Sequence, residues 1–141
     1  MKAEFELSGK IVGKGRPRFT RTGHVYTPKQ TSDYEKLVKA SYYSQCGRKK
    51  FKDAIGVYIT AKQTPPTKMR KAEKEEAIRE SMNSTKKPDA DNIAKVVLDA
   101  LNGLAYEDDK QISCLKINKV YAESEGIHVL IKELGELNGS I

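Results

Sequence analysis

Ile93, Val96, Val97, Ala100, Leu101 and Leu104 recur at offsets of three, four, seven, eight and eleven residues, the spacing of one face of an α-helix. No other segment carries so clean a stripe, and a helix bearing it must bury that face against a core. Its start is marked by Lys87-Pro88-Asp89-Ala90-Asp91-Asn92 and its end by Asn102-Gly103, after which comes a second acidic group, Glu107-Asp108-Asp109. These carboxylates stand in a chain of net charge +7. Acidic groups gathered at a helix start and a nearby turn of a basic protein suit a divalent cation held beside a polyanion, which points to a nuclease.

The remaining segments surround this helix with strands. Phe5, Leu7, Gly9 and Ile11 alternate with polar residues, as in a half-buried strand. The stretch from Gly13 to Pro28 is punctuated by glycine and proline and strongly basic, which predicts a loop, with His24-Val25-Tyr26 as a short strand within it. A helix is predicted from Ser32, whose spacing to Glu35 matches a capping box, to Gly47. Ile55, Val57 and Ile59 give a strand closed by Pro65-Pro66, and Lys68 to Met82 reads as a surface helix touching the core through Met69, Ala72, Ile78 and Met82. Ile112 to Tyr121 and Ile127 to Ile131, separated by Ser124-Glu125-Gly126, read as a hairpin.

Four strands and about three helices without regular β-α-β alternation describe an α+β domain with a mixed, mainly four-stranded sheet, a single domain over residues 1–141. Cys46 and Cys114 lie in unrelated contexts and make neither a zinc pattern nor a redox pair, so both are expected to be buried or incidental thiols in a reducing compartment. No apolar run approaches a membrane span and the first residues lack a signal-peptide core, so a cytoplasmic location with no membrane partner is expected. The basic balance favours nucleic acid as the partner.

Asp89 and Asp91 at a helix start are also what helix capping alone would select, worth roughly 0.3 to 1 kcal/mol each from the helix dipole. The opposite face of the helix carries Asp91, Lys95, Asp99 and Asn102. Asp99 lies eight residues beyond Asp91, about 12 Å along the axis, too far to share one ion, and is expected to be a surface or salt-bridging residue. Asp108 or Asp109 would join Asp89 and Asp91 only if the strand from Ile112 packed alongside and turned the chain back to the helix start; otherwise the pair is a solvated turn. Three such carboxylates would suit Mg²⁺, which takes a few oxygen ligands plus waters and phosphate oxygens. Lys95, one turn into the helix, would then stabilise the pentavalent phosphate or leaving oxygen, or else simply pair with Asp91 or Asp99. No catalytic triad competes, and Gly13-Lys14-Gly15 lacks P-loop spacing.

The ordered run Lys87-Pro88-Asp89-Ala90-Asp91-Asn92, Lys95, Asp99 to Gly103 and Tyr106 to Ile112 resembles the RusA-type Holliday junction resolvases, whose bacterial and prophage members share a K-P-D-x-D-N motif followed by a helix and an acidic turn. A looser match covers Lys14 to Arg18, Tyr26 to Pro28 and Tyr34-Glu35. The resemblance implies that Asp89, Asp91 and Asp109 are the metal-binding, catalytically required aspartates, with Lys95 the assisting lysine and Asp108 beside the third position. It implies a homodimer that uses Mg²⁺ to cut four-way DNA junctions symmetrically, in recombination and repair. Lys14, Arg16, Arg18 and Arg21 are then the expected DNA contacts. Two other readings remain open: a non-catalytic nucleic-acid-binding protein whose aspartates only cap a helix and close a turn, and a nuclease for flaps, forks or other branched DNA.

Overall fold

The computed structural model describes residues 1–135; the last six residues of the expected domain lie outside the described ones. In chain order the elements are β1 (Lys2–Ser8), β2 (Arg18–Phe19), β3 (Val25–Tyr26), α1 (Lys29–Cys46), β4 (Ile55–Gln63), α2 (Lys71–Arg79), α3 (Ala90–Leu101), a 3₁₀ turn (Asp109–Gln111), β5 (Ile112–Tyr121) and β6 (Gly126–Glu133). Four strands form one sheet in the order β1-β6-β4-β5, and β2 and β3 make a separate two-stranded ribbon. The β4–β5 pair is parallel, while β1–β6 and β4–β6 are antiparallel, so the α+β class and the mixed sheet are as expected.

Helices α1 and α3 cover one face of the sheet. Their Tyr34, Val38, Tyr42, Ile93, Val96, Val97, Ala100 and Leu101 meet Phe5, Val57, Ile59, Ala61, Val129 and Ile131 in one buried cluster. Each fully buried aliphatic side chain contributes about 1.5 to 3 kcal/mol, so the α3 stripe is one of the larger sources of stability. Leu104 lies past the end of α3 and is only half-buried, packed against this core from the following turn. The other face of the sheet is polar: His128 Nε2 meets Glu4 Oε2 at 2.5 Å, and Lys132 lies over the Tyr58 ring.

Three expectations are corrected. β5 and β6 are not a hairpin: β6 inserts between β1 and β4, and β5 takes the far side of β4. Alternation reports which face a residue occupies, not which strand is its neighbour. The strand with exposed Ser113 to Lys116 takes the edge, whereas Ile127, Val129 and Ile131 require pairing on both sides. Helix α1 begins at Lys29 with Pro28 at its cap position and no side-chain capping bond, so the Ser32–Glu35 box is not formed. Proline supplies the extended entry, and Ser32 already donates its amide to Pro28 O. Helix α2 is shorter than Lys68 to Met82 and buries Ala77, while Ala72 is exposed and Met82 is 49% exposed.

Candidate metal and DNA site

The Lys87–Asp91 segment is held by the last residue of β4. Gln63 is buried, its Nε2 donates to Lys87 O at 2.8 Å, and its Oε1 accepts from Ser84 Oγ at 2.6 Å. Ser84 Oγ accepts in turn from the Lys86 amide at 3.1 Å. A buried, fully partnered amide of this kind fixes where the chain enters α3.

Asp89 occupies the N-cap position of α3, with φ −66° and ψ 151°, and its carbonyl accepts from Ile93 N at 3.0 Å. Its side chain nevertheless caps nothing. Asp91, in the first turn, is exposed and makes no ion pair among the described residues. Exposed Lys95 likewise pairs with neither Asp91 nor Asp99. Helix capping, the plainest explanation for these carboxylates, is therefore not the use the fold makes of the Asp89 side chain.

The basic loop reaches this helix through Gly13-Lys14-Gly15. A Cβ on Gly13 would lie 2.7 Å from Pro88 Cβ and 3.1 Å from Asn92 Cβ, so only glycine lets the loop pass there. Lys14 N donates to Asn92 O at 2.9 Å and Gly15 N to Thr31 Oγ1 at 3.0 Å, stitching the loop between α1 and α3. The Lys14 ammonium lies 2.8 Å from Glu35 Oε2 and 3.1 Å from Asp99 Oδ2. Partial burial opposes its charge, but the bonds to Glu35 and Asp99 outweigh that and hold its pKa above the ordinary lysine value. A groove of about 690 Å³ between the loop, α1 and the start of α3 is lined by Lys10, Lys14, Tyr34, Lys87, Asp89 and Asn92, among others.

At the far end of α3, the turn is locked by Gln111. Its Oε1 accepts from the amides of Glu107 and Asp108 at 2.7 and 3.1 Å, and its Nε2 donates to Phe51 O at 2.8 Å. Asp108 accepts from the Lys110 amide at 2.9 Å, which makes it the cap of the 3₁₀ turn, while the Asp109 carboxylate lies beside the Tyr106 hydroxyl. Asp109 is held above the usual carboxylate range by partial burial and by the negative charges of Asp99 and Asp108. Buried Tyr106 donates to Leu98 O at 2.5 Å, and burial together with the Asp109 charge raises its phenol pKa.

The fold thus brings Asp89, Asp91 and Lys95 to the first half of α3, and Asp99, Asp109 and Tyr106 to its last half. Lys87 is bonded to the end of β4 at Gln63, whereas β5 begins opposite Ile55 at the start of β4. The twelve residues of α3 between them span about 18 Å. Among the described residues of one chain, no three His, Cys, Asp or Glu side chains are arranged to hold a common ion. Arg16, Arg18 and Arg21 are exposed on the loop and the β2–β3 ribbon, while Lys14 already serves two carboxylates. The sequence assigns no role to Gln63, Gln111 or Tyr106, although Tyr106 and Gln111 lie in the run that carries the family resemblance; for Gln63 the one signal is a glutamine ending a strand.

A model of one family, described as endodeoxyribonuclease RusA, matches residues 8–132. The chain belongs to the RusA endodeoxyribonuclease family. It is also 31% identical over 136 residues to a Bacillus subtilis (strain 168) protein described as "Uncharacterized protein YqaN", covering 93% of this chain and 96% of that one. Membership in the RusA family makes the chain an endodeoxyribonuclease of the kind that binds branched DNA and resolves Holliday junctions in recombination and repair. RusA nucleases are generally dependent on a divalent metal. No helix among the described residues is long and apolar enough to cross a membrane.

Proposed function

We propose that this protein is a Mg²⁺-dependent homodimeric endonuclease that resolves four-way DNA junctions by paired, symmetric phosphodiester hydrolysis in the cytoplasm. The observation that carries the reading is the Asp89–Asp91 pair at the start of α3: the Asp89 side chain is not used as a cap, neither carboxylate is in an ion pair among the described residues, and a basic loop runs beside them. Two like charges next to a polyanion are costly unless a cation sits between them, and a carboxylate pair that leaves room for water and phosphate oxygens fits Mg²⁺. When bound, the ion would polarise the phosphodiester and lower the pKa of an attacking water. Asp89 and Asp91 would hold it, Asp109 would complete the ligand set, and Lys95 would place its ammonium against the charge that builds on the phosphate. Arg16, Arg18 and Arg21 would bind the flanking backbone, and Lys14 would join them only by releasing Glu35 or Asp99.

Symmetric cutting needs two equivalent sites about a two-fold axis. The same axis resolves the separation along α3. If the exposed face of α3 meets its copy antiparallel, Asp109 of one protomer comes to the Asp89–Asp91 end of the other. Mixing Asp91→Asn and Asp109→Asn proteins tests this on a synthetic four-way junction with Mg²⁺. Shared sites predict that the mixture nicks although each variant alone does not, because the heterodimer keeps one intact site. An inactive mixture would put all three aspartates in one chain, and a wild type that leaves junctions intact would remove the nuclease reading. Comparing rates on junctions, flaps and forks distinguishes a junction resolvase from a nuclease for other branched DNA.

A further inference from the structure

Between Glu6 and Asp33 the chain has no acidic residue, while Lys10, Lys14, Arg16, Arg18, Arg21 and Lys29 are basic. The middle of this stretch forms the β2–β3 ribbon, in which Arg18 pairs with Tyr26 and Phe19 with Val25. Residues directly opposite in an antiparallel pair share a face, so Phe19 and Val25 stand on one side and Arg18 and Tyr26 on the other. The ribbon is closed by its own turn: Thr20 N donates to His24 O at 2.8 Å, His24 N to Thr20 Oγ1 at 3.0 Å, and Gly23 takes a φ of +87°. Phe19 is 71% exposed, Val25 60% and Tyr26 47%. The other two phenylalanines, Phe5 and Phe51, are 1% and 0% exposed.

A two-stranded ribbon is marginal on its own, and one that holds a phenylalanine in water needs a partner for it. The surrounding charge says which kind. An aromatic face flanked by guanidinium groups and free of carboxylates matches an unstacked nucleobase with a phosphate on either side. A continuous duplex hides its base faces, whereas strand exchange at a branch point leaves base pairs incompletely stacked. We infer that the β2–β3 ribbon is a branch-reading arm: Phe19 stacks on a base exposed at the branch point, while Arg16, Arg18 and Arg21 grip the adjoining phosphates. The inference rests on the branched-DNA reading above and adds to it the element that senses branch shape.

The chain contains no tryptophan, so Phe19→Trp introduces a single indole reporter. In EDTA, the variant is titrated with a four-way junction and with a linear duplex of the same sequence, and complex formation is followed separately by anisotropy of labelled DNA. Stacking predicts indole quenching on the junction and little change on the duplex at equal occupancy. Phe19→Ala is expected to lower the preference for junction over duplex about tenfold, with an unchanged melting temperature because the side chain touches no core. Trp at the same position should restore the preference. Unquenched indole on a bound junction would overturn the inference. So would indole emission that changes with protein concentration alone while Phe19→Ala alters the oligomeric state, since Phe19 would then be a subunit contact. Quenching on a junction that is left uncut after Mg²⁺ is added would keep the arm and remove the nuclease reading. Cutting without quenching would do the reverse.

Discussion

Both ends of α3 carry carboxylates and treat them in opposite ways. At the far end, Asp99 is paired with Lys14, Glu107 lies 4.0 Å from the Lys50 ammonium and Asp108 caps a turn, so three of four charges are satisfied inside the protein. At the near end, Asp89 and Asp91 are placed with equal care by Gln63 and the Gly13 crossing, yet their side chains have no partner among the described residues. A carboxylate with a local partner explains itself structurally. One that is firmly positioned and unpartnered is set for a ligand from outside. Asp109 is the exception at its own end: it is pushed toward the protonated form by partial burial and by the charges of Asp99 and Asp108, and gains from any cation that approaches.

The sharpest way to break this contrast is Asp91→Asn, expected to lower the single-turnover cleavage rate at least roughly a thousandfold while junction affinity in EDTA changes little. A variant that cut normally would make the near end structural after all. Next comes Lys95→Met, expected to cost about ten- to a hundredfold in rate with the melting temperature unchanged, because the ammonium makes no ion pair among the described residues. Gly13→Ala should force the loop off Pro88 and cost about 1 to 3 kcal/mol in denaturant unfolding, together with cleavage activity.

Lys14→Met should leave Glu35 and Asp99 unpaired and cost about 1 kcal/mol, in line with a partly exposed pair. Because the folded state raises the Lys14 pKa, this stability is fully present below the ordinary value of 10.5 and is lost as pH rises through the folded value. Wild type and Lys14→Met should therefore converge in stability in strongly alkaline buffer. The smallest effect is Asp109→Asn, expected to raise the metal-free melting temperature by about a degree at neutral pH. A carboxyl raised in the folded state is opposed once pH passes its ordinary value of 3.8, so removing its charge relieves the fold. A fall in melting temperature instead would mean that the Tyr106 hydroxyl supports the Asp109 charge more than burial and the neighbouring carboxylates oppose it.

Much of this is legible in the sequence. The α3 stripe from Ile93 to Leu101 is buried as its period requires, and β4 and β6 present the expected face. Asp99 was set apart from Asp91 by helical rise alone, and it does form an ion pair. What failed was neighbourhood. Nothing local in Ile112–Tyr121 tells that it pairs with β4 in parallel rather than with β6, and that pairing decides that Asp109 meets Asp99 within the chain. The stitch made by Gly13-Lys14-Gly15 was equally hidden, because a glycine needed for close approach looks like one needed for a turn. The Asp89 side chain illustrates the opposite limit: its position was read correctly, but whether it would cap could be known only from its hydrogen bonds.

Gln63 has a further consequence. The chain leaves β4 at this residue and returns to it when Ser84 Oγ and Lys87 O meet the Gln63 amide, with Met82 and Ser84 bonded to β5 on the way, so the stretch from Thr64 to Ser81, α2 included, is an excursion from one buried side chain. The spacing between sheet and α3 is then independent of how long the excursion is. Such a segment can be lengthened, shortened or exchanged as a cassette, and a tag or label inserted into α2 would report on the protein without disturbing either end of the helix that follows.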